Sequence, residues 1–148
     1  MKENVFLSLG SNQGDRRYNL DRATELLTEG LGEMPIAVSD YLETESWGFD
    51  APDFLNSVVA FSLEDPDGFS ILALCKEIER TMGREENVEY DGEGKRIYHS
   101  RPIDIDIIEI GERNIESETL TVPHPLAYER DFVKIPLAQV KRKLKIFK

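Results

Sequence analysis

Cysteine is almost missing from this chain, with one residue, Cys75, among 148. A single thiol excludes an internal disulfide framework and any zinc site built from several cysteines. Cys75 falls on the apolar stripe of a predicted helix, where a thiol is an inert core group rather than a nucleophile, and such cysteine usage points to the cytosol. Long apolar runs are missing too. None approaches the length of a membrane span, and the first residues lack the basic-then-apolar plan of a signal peptide, so no membrane partner is expected. Positive charge is short: 18 Lys and Arg stand against 29 Asp and Glu, a net charge of −11. Such a surface repels nucleic acid and anionic lipid. Repeats, low-complexity tracts and linkers are absent, and residues 1–148 read as one domain with a sizeable core. The loop Gly10-Ser11-Asn12-Gln13-Gly14 has neither the phosphate-loop lysine nor the three-glycine dinucleotide pattern, and reads as a turn.

With so few basic residues, their placement is informative. Arg84, Lys95, Arg96, Arg101 and Arg130 all flank or follow one stretch, Pro102 to Ile110. The basic tail Lys141 to Lys145 reads as a solvated end at a helix C-terminus.

Hydrophobic periodicity sets the elements. Val5–Leu9 is an apolar strand ended by the Gly10 turn. From Asp15 the period changes, with Leu20, Ala23 and Leu27 on one helical face and Gly30 and Gly32 as stops. Ile36–Tyr41 alternates weakly as a strand, and a polar loop leads to a second apolar strand, Phe54–Leu63. Asp65 and Pro66 make a helix start, with Phe69, Leu72, Cys75, Ile78 and Met82 as its buried stripe and Gly83 as its stop. Residues 84–99 are charged and without period, a loop of the length that in compact domains carries function or is disordered. After the next strand comes a turn at Gly111, then a polar ribbon to Pro125. A last amphipathic segment, Leu126–Val140, is predicted as two short helices broken at Pro136. The order β-α-β-β-α-β-α predicts an α+β fold, a ferredoxin-like sandwich with helices on one face of an antiparallel sheet.

The stretch Ile103-Asp104-Ile105-Asp106-Ile107 alternates as a strand with one buried face. Its aspartates fall on the other face with Cα atoms roughly 6.5 Å apart. Two such carboxylates repel each other, and a hard divalent cation removes the conflict; oxygen-only ligands favour magnesium shared with substrate phosphates. Read alone, the pair equally fits the solvated face of an ordinary amphipathic strand.

Five blocks in order decide between these. They are Leu9-Gly10-Ser11-Asn12; Tyr41 to Gly48 with Asp53-Phe54-Leu55-Asn56; Ile78-Glu79 with Gly83-Arg84; Arg101-Pro102-Ile103-Asp104-Ile105-Asp106; and Leu120 to Pro125 with Arg130-Asp131-Phe132. Along essentially its whole length the chain resembles the 6-hydroxymethyl-7,8-dihydropterin pyrophosphokinases of folate biosynthesis. The resemblance implies a monomeric, cytoplasmic transferase that moves diphosphate from ATP to the pterin hydroxymethyl group and releases AMP. It implies two magnesium ions on Asp104 and Asp106, with Arg84 and Arg101 joining them in catalysis. Lys76, Arg84, Lys95, Arg96, Tyr98, Arg101, Thr121, His124 and Arg130 are the implied ATP contacts. Thr44, Trp47, Phe54, Asn56, Asp104 and Phe132 are the implied pterin contacts, with the ring between Phe54 and Phe132. Trp47 and residues 84–99 are the implied lids that exclude water. Thr119 stands where some members carry an arginine, and Lys76 where a glutamine can meet the adenine.

Two rival readings differ in kind. Another two-metal phosphoryl or nucleotidyl transferase keeps the aspartates but not the Phe54/Asn56/Phe132 pocket. A non-catalytic ferredoxin-like sensor of small molecules needs no metal.

Overall fold

The computed structural model describes residues 1–44, 53–83, 89–90, 92–93, 96–97 and 102–145. In chain order these form β1 (Lys2–Ser11), α1 (Arg16–Leu31), β2 (Ala37–Val38), β3 (Leu42–Thr44), β4 (Phe54–Glu64), α2 (Gly68–Thr81), β5 (Glu89–Tyr90), β6 (Arg96–Ile97), β7 (Asp104–Ile110), β8 (Ile115–Glu116), β9 (Thr121–Val122) and α3 (Asp131–Lys143). The main sheet is antiparallel. β4 and β7 flank β1, while β2 and β3 lie one after the other along the far edge of β4. This is the α+β sandwich on an antiparallel sheet that the element order predicts, but its helices do not all lie on one face as expected.

β1 has neighbours on both sides, and from Val5 to Ser11 every residue is buried, which is why Val5–Leu9 is almost continuously apolar. One face of the sheet (Leu7, Leu9, Val59, Phe61, Ile105, Ile107) packs against Leu20, Ala23 and Leu27 of α1 and Ile71, Cys75 and Ile78 of α2. The other face is covered only in part. There Val133, Leu137 and Val140 of α3 sit on Phe6, Val58, Ala60 and Ile108. So the third helix is not on the face that holds the first two, and the uncovered half of its face is where the chemistry collects.

Several boundaries differ from the sequence reading, each for a local reason. β1 runs on through Gly10 and Ser11, paired with Asn56 and Leu55, so the turn starts at Asn12. Gly30 lies inside α1 rather than ending it: Leu74 of α2 packs where a side chain would project, 2.6 Å from an ideal Cβ. The stop is Gly32, at φ 73°. Asp65 does not cap α2. Asp67 does, accepting from Phe69 N at 3.1 Å and from Ser70 Oγ at 3.0 Å. The later start turns Phe69 outward, 49% exposed, and brings Ile71 into the core.

Pro136 does not split α3. It lacks one hydrogen-bond donor, but it is buried with Val133, Leu137 and Val140, and that packing carries the helix through. The expected Ile36–Tyr41 strand shortens to the two residues of β2, and the ribbon before Pro125 is the β8–β9 hairpin.

Candidate active site

β7 carries the paired aspartates, and its register explains their direction. Asp104 stands opposite Gly10 and Asp106 opposite Ser8 on β1; across β1, Gly10 in turn faces Asn56 on β4. Alternation therefore puts Asn56, Gly10 and Asp104 in one row across three strands, on the face that α3 leaves open. Along this face the strands change character. Phe6, Val58, Ala60 and Ile108 lie under α3, while Ser8, Gly10, Asn56, Asp104 and Asp106 lie beyond it. A register shift between Phe6 and Leu7 marks the change: Glu109 pairs with Phe6 and Ile107 with Leu7, leaving Ile108 as the extra residue of a bulge.

The open half is a cavity of about 760 Å³, floored by Ser8, Gly10, Asn56, Asp104 and Asp106. Its walls are Thr44 and Phe54 on one side, and Glu129, Arg130, Asp131 and Phe132 at the N-terminus of α3 on the other. Asn56 is buried, and its Nδ2 donates to Leu42 O at 3.1 Å and to Thr44 Oγ1 at 2.9 Å. The Arg130 guanidinium lies 5.7 Å from the centre of the Phe132 ring.

Asp106 is electrostatically unsettled. Asp106 opens to solvent at the cavity, yet enough protein surrounds it that burial raises its pKa above 3.8, and the charge of Asp104 raises it further. His124, Lys76 and Arg130 pull the other way. Two oxygen-donor side chains, side by side and mutually repelling, fit a hard divalent cation that keeps waters and takes phosphate oxygens for its remaining ligands. Among the described residues there is no cluster of three or more His, Cys, Asp or Glu.

The expected pterin contacts Thr44, Phe54, Asn56, Asp104 and Phe132 all line this cavity. Of the expected nucleotide contacts, Arg130 lines it, while Lys76, Thr121 and His124 do not. Thr121 sits on the β8–β9 hairpin. His124 lies beside β7, its backbone N–H donating to Ile108 O at 2.8 Å. Its Nδ1 accepts from Leu126 N at 3.3 Å, so a neutral ring carries its proton on Nε2. Trp47, Arg84, Lys95, Tyr98 and Arg101 lie outside the described residues, and so does the side chain of Arg96 on β6.

Two further floor residues, Ser8 and Gly10, were read from sequence as strand filler and turn. The signal for Gly10 is the absent side chain: a Cβ there would stand 3.1 Å from Asn56 Oδ1 and 3.6 Å from Phe54 Cδ1. A larger depression, about 870 Å³, lies between Gly14–Arg17 and Ser39–Tyr41, but none of the expected site residues lines it. Its arginines are engaged, Arg16 with Glu43 at 2.6 Å and Arg17 over the Tyr41 ring at 4.9 Å.

Comparison with known proteins gives a consistent result. Residues 6–142 match the profile of the family described as 7,8-dihydro-6-hydroxymethylpterin-pyrophosphokinase. The chain is similar to the 2-amino-4-hydroxy-6-hydroxymethyldihydropteridine pyrophosphokinase of Porphyromonas gingivalis, 42% identical over 139 residues, covering 92% of this chain and 89% of that one. The protein of the same name from Bacillus subtilis is 36% identical over 141 residues, covering 95% and 79%. A folate synthesis bifunctional protein of Pisum sativum is 36% identical over 135 residues, 91% of this chain but 24% of that longer protein.

Proposed function

The chain belongs to the 7,8-dihydro-6-hydroxymethylpterin-pyrophosphokinase family, and from that premise we propose how its own residues perform the reaction. It transfers diphosphate from ATP to the hydroxymethyl group of 6-hydroxymethyl-7,8-dihydropterin, a step of folate biosynthesis. The hydroxymethyl O–H gives up its proton, with Asp104 as the candidate acceptor, and its oxygen bonds to the β-phosphorus; the bond from that phosphorus to the oxygen bridging the α-phosphate breaks, and AMP leaves.

One observation carries the assignment of roles: Asn56 and Asp104 sit at opposite ends of a row whose middle is Gly10. Two inter-strand spacings separate them, roughly 10 Å. A flat bicycle lying over the bare backbone of Gly10 meets an amide at one end and a carboxylate at the other. Phe54 and Phe132, on opposite walls, supply apolar faces for the ring. Asn56 and Thr44 fix its edge, and their hydrogen bond to each other holds both in place before the ligand arrives.

The exocyclic hydroxymethyl group then lies toward Asp104 and Asp106, where the triphosphate must be presented. Two magnesium ions held by these carboxylates would neutralise the phosphate oxygens and favour in-line displacement. Arg130, with Arg84 and Arg101, is assigned the positive charge facing the phosphates, and His124 a hydrogen-bond donor to them. Lys76, beside the outer edge of β7, and Thr121 are assigned to the nucleoside end, and Lys95, Arg96 and Tyr98 are assigned to the nucleotide. The acidic surface supports small-molecule substrates rather than nucleic acid.

The test is direct. ATP, the hydroxymethyl-dihydropterin and magnesium are incubated with the protein, and AMP is measured. AMP formed in proportion to pterin, and lost in Asp104→Ala, is the expected result. ADP in place of AMP, or turnover indifferent to the pterin, would overturn the assignment.

A further inference from the structure

Glu79 is the one carboxylate closed off from solvent among the described residues, 1% exposed. It belongs to α2, on the face of the sheet away from the cavity, and the family roles above leave it unassigned. An ionised carboxylate is costly to bury unless its oxygens are satisfied, so what they hold is informative. Glu79 Oε2 accepts the backbone N–H of Ile105 at 3.0 Å. Its Oε1 lies 3.6 Å from Lys76 Nζ.

Ile105 is the residue between the two aspartates. β7 is an edge strand of the main sheet, with β1 as its strand neighbour there. Strand alternation makes Ile105 a lever: its side chain points into the core while Asp104 and Asp106 point into the cavity, so any roll or slide of the strand moves both carboxylates together. The ladder to β1 is itself irregular two residues further on, at the bulge. A buried hydrogen bond on the outer edge therefore sets the strand where one-sided pairing leaves it least constrained. Hydrogen bonds to a charged acceptor are among the stronger ones available for this.

We propose that Glu79 is a positioning residue for the paired carboxylates: through Ile105 N–H it fixes β7 from its outer edge, so that a divalent cation meets Asp104 and Asp106 already in their working position relative to β1 and the cavity. Lys76 Nζ, 3.6 Å from Oε1, brings a positive charge to the other carboxylate oxygen. The inference rests on the diphosphate-transfer reading, but its core is a mechanical statement about β7 that is measured separately.

Glu79→Gln keeps an oxygen acceptor in the same place, whereas Glu79→Leu keeps the bulk and removes the acceptor. Magnesium affinity, titrated with a non-hydrolysable ATP analogue present, is expected to fall about tenfold or more in Glu79→Leu, the loss typical when a group orienting a metal ligand is removed. Glu79→Gln is expected to restore most of it. Pterin affinity without nucleotide should fall far less than magnesium affinity in both variants, since among the pterin contacts Asp104 alone stands on β7. A Glu79→Leu protein that binds pterin normally and magnesium as tightly as the wild type overturns the proposal. So does a Glu79→Gln protein as weak as Glu79→Leu, since the acceptor would then not be what matters. Should Glu79→Leu fail to fold, hydrogen exchange at the Ile105 amide of the wild type decides: protection comparable to the β1–β7 ladder is expected, and exchange at the rate of an open edge overturns it. If the wild type forms no AMP while Ile105 is protected and magnesium affinity follows the variants, the reaction assignment fails and the pin stands.

Discussion

Asn56 donates through Nδ2 to Thr44 Oγ1 at 2.9 Å, and the same nitrogen donates to Leu42 O at 3.1 Å. Both amide hydrogens are thus committed to β3, and the carbonyl oxygen faces Gly10 on the cavity floor. Asn56 therefore meets a ligand as an acceptor held in a fixed orientation. Thr44→Val removes one of the two bonds that orient it and should weaken pterin binding about 3- to 10-fold, the worth of one ordinary hydrogen bond. Asn56→Ala removes the acceptor itself and should cost more. Calorimetric titration of the pterin measures both; unchanged affinity in Thr44→Val would mean that β3 does not orient the amide.

Gly10 separates Asn56 from Asp104 in the row that the ligand must cross. Gly10→Ala places a methyl group 3.1 Å from Asn56 Oδ1, closer than comfortable contact. The KM for pterin is expected to rise roughly tenfold, about 1.4 kcal/mol, with the KM for ATP little changed. Steady-state kinetics with each substrate varied in turn separates the two, and an equal rise in both would place the ring elsewhere.

Asp106 gives a pH dependence whose sign can be worked out. Its pKa is raised in the folded protein, first by burial and then by Asp104, so between the unfolded value and that raised value the native state binds the extra proton. Stability therefore falls as pH rises through that window, and at neutral pH the ionised carboxylate opposes folding in the absence of metal. Asp106→Asn should melt higher than the wild type at pH 7, by roughly 2–4 °C for each kcal/mol relieved, and the difference should shrink toward pH 4. Magnesium should raise the wild-type Tm and leave that of Asp106→Asn nearly unchanged. A variant that melts lower at pH 7 would refute this account.

Cys75 is fully buried, and its pKa is pushed up to about 12 by burial and by the nearby charges of Glu79 and Asp106. At pH 8 the thiol stays protonated and enclosed, and a protonated thiol is a poor nucleophile. Incubation of the native protein with a chromogenic disulfide reagent at that pH should give no reaction over an hour, and one equivalent after denaturation. Rapid labelling of the native form would mean that α2 opens far more readily than its packing implies.

The fold was largely legible from the sequence. The period-two alternation from Ile103 to Ile107 and the helical spacing of Leu20, Ala23 and Leu27 each report one buried face, and both faces are where the pattern puts them. What misled were residues whose meaning lies in tertiary contact. Gly30 looks like a helix stop until Leu74 is seen against it. Pro136 looks like a break until its burial on the sheet is known. The cavity was legible in part. Phe54, Asn56, Asp104 and Phe132 were assigned by resemblance, and the structure brings all four to its lining. Gly10 and Glu79 were not assigned a role, because a missing side chain and a hydrogen bond to a distant strand leave no periodic trace. The two hydrogen bonds that orient the Asn56 amide, to Leu42 and Thr44 of β3, also leave no trace in the sequence.

The strand order also has a consequence for how the molecule comes into being. β1 precedes both of its ladder partners, residues 55–64 and 104–110. A nascent chain thus carries its central strand unpaired on one edge until residues 104–110 have been synthesised. Such distant pairing slows folding relative to chains with local contacts, and an apolar strand with an open edge is what chaperones and aggregation compete for. The row from Asn56 through Gly10 to Asp104 needs all three strands in register. No chain ending before Asp104 can contain the site, and binding competence should appear in the same step as completion of the sheet.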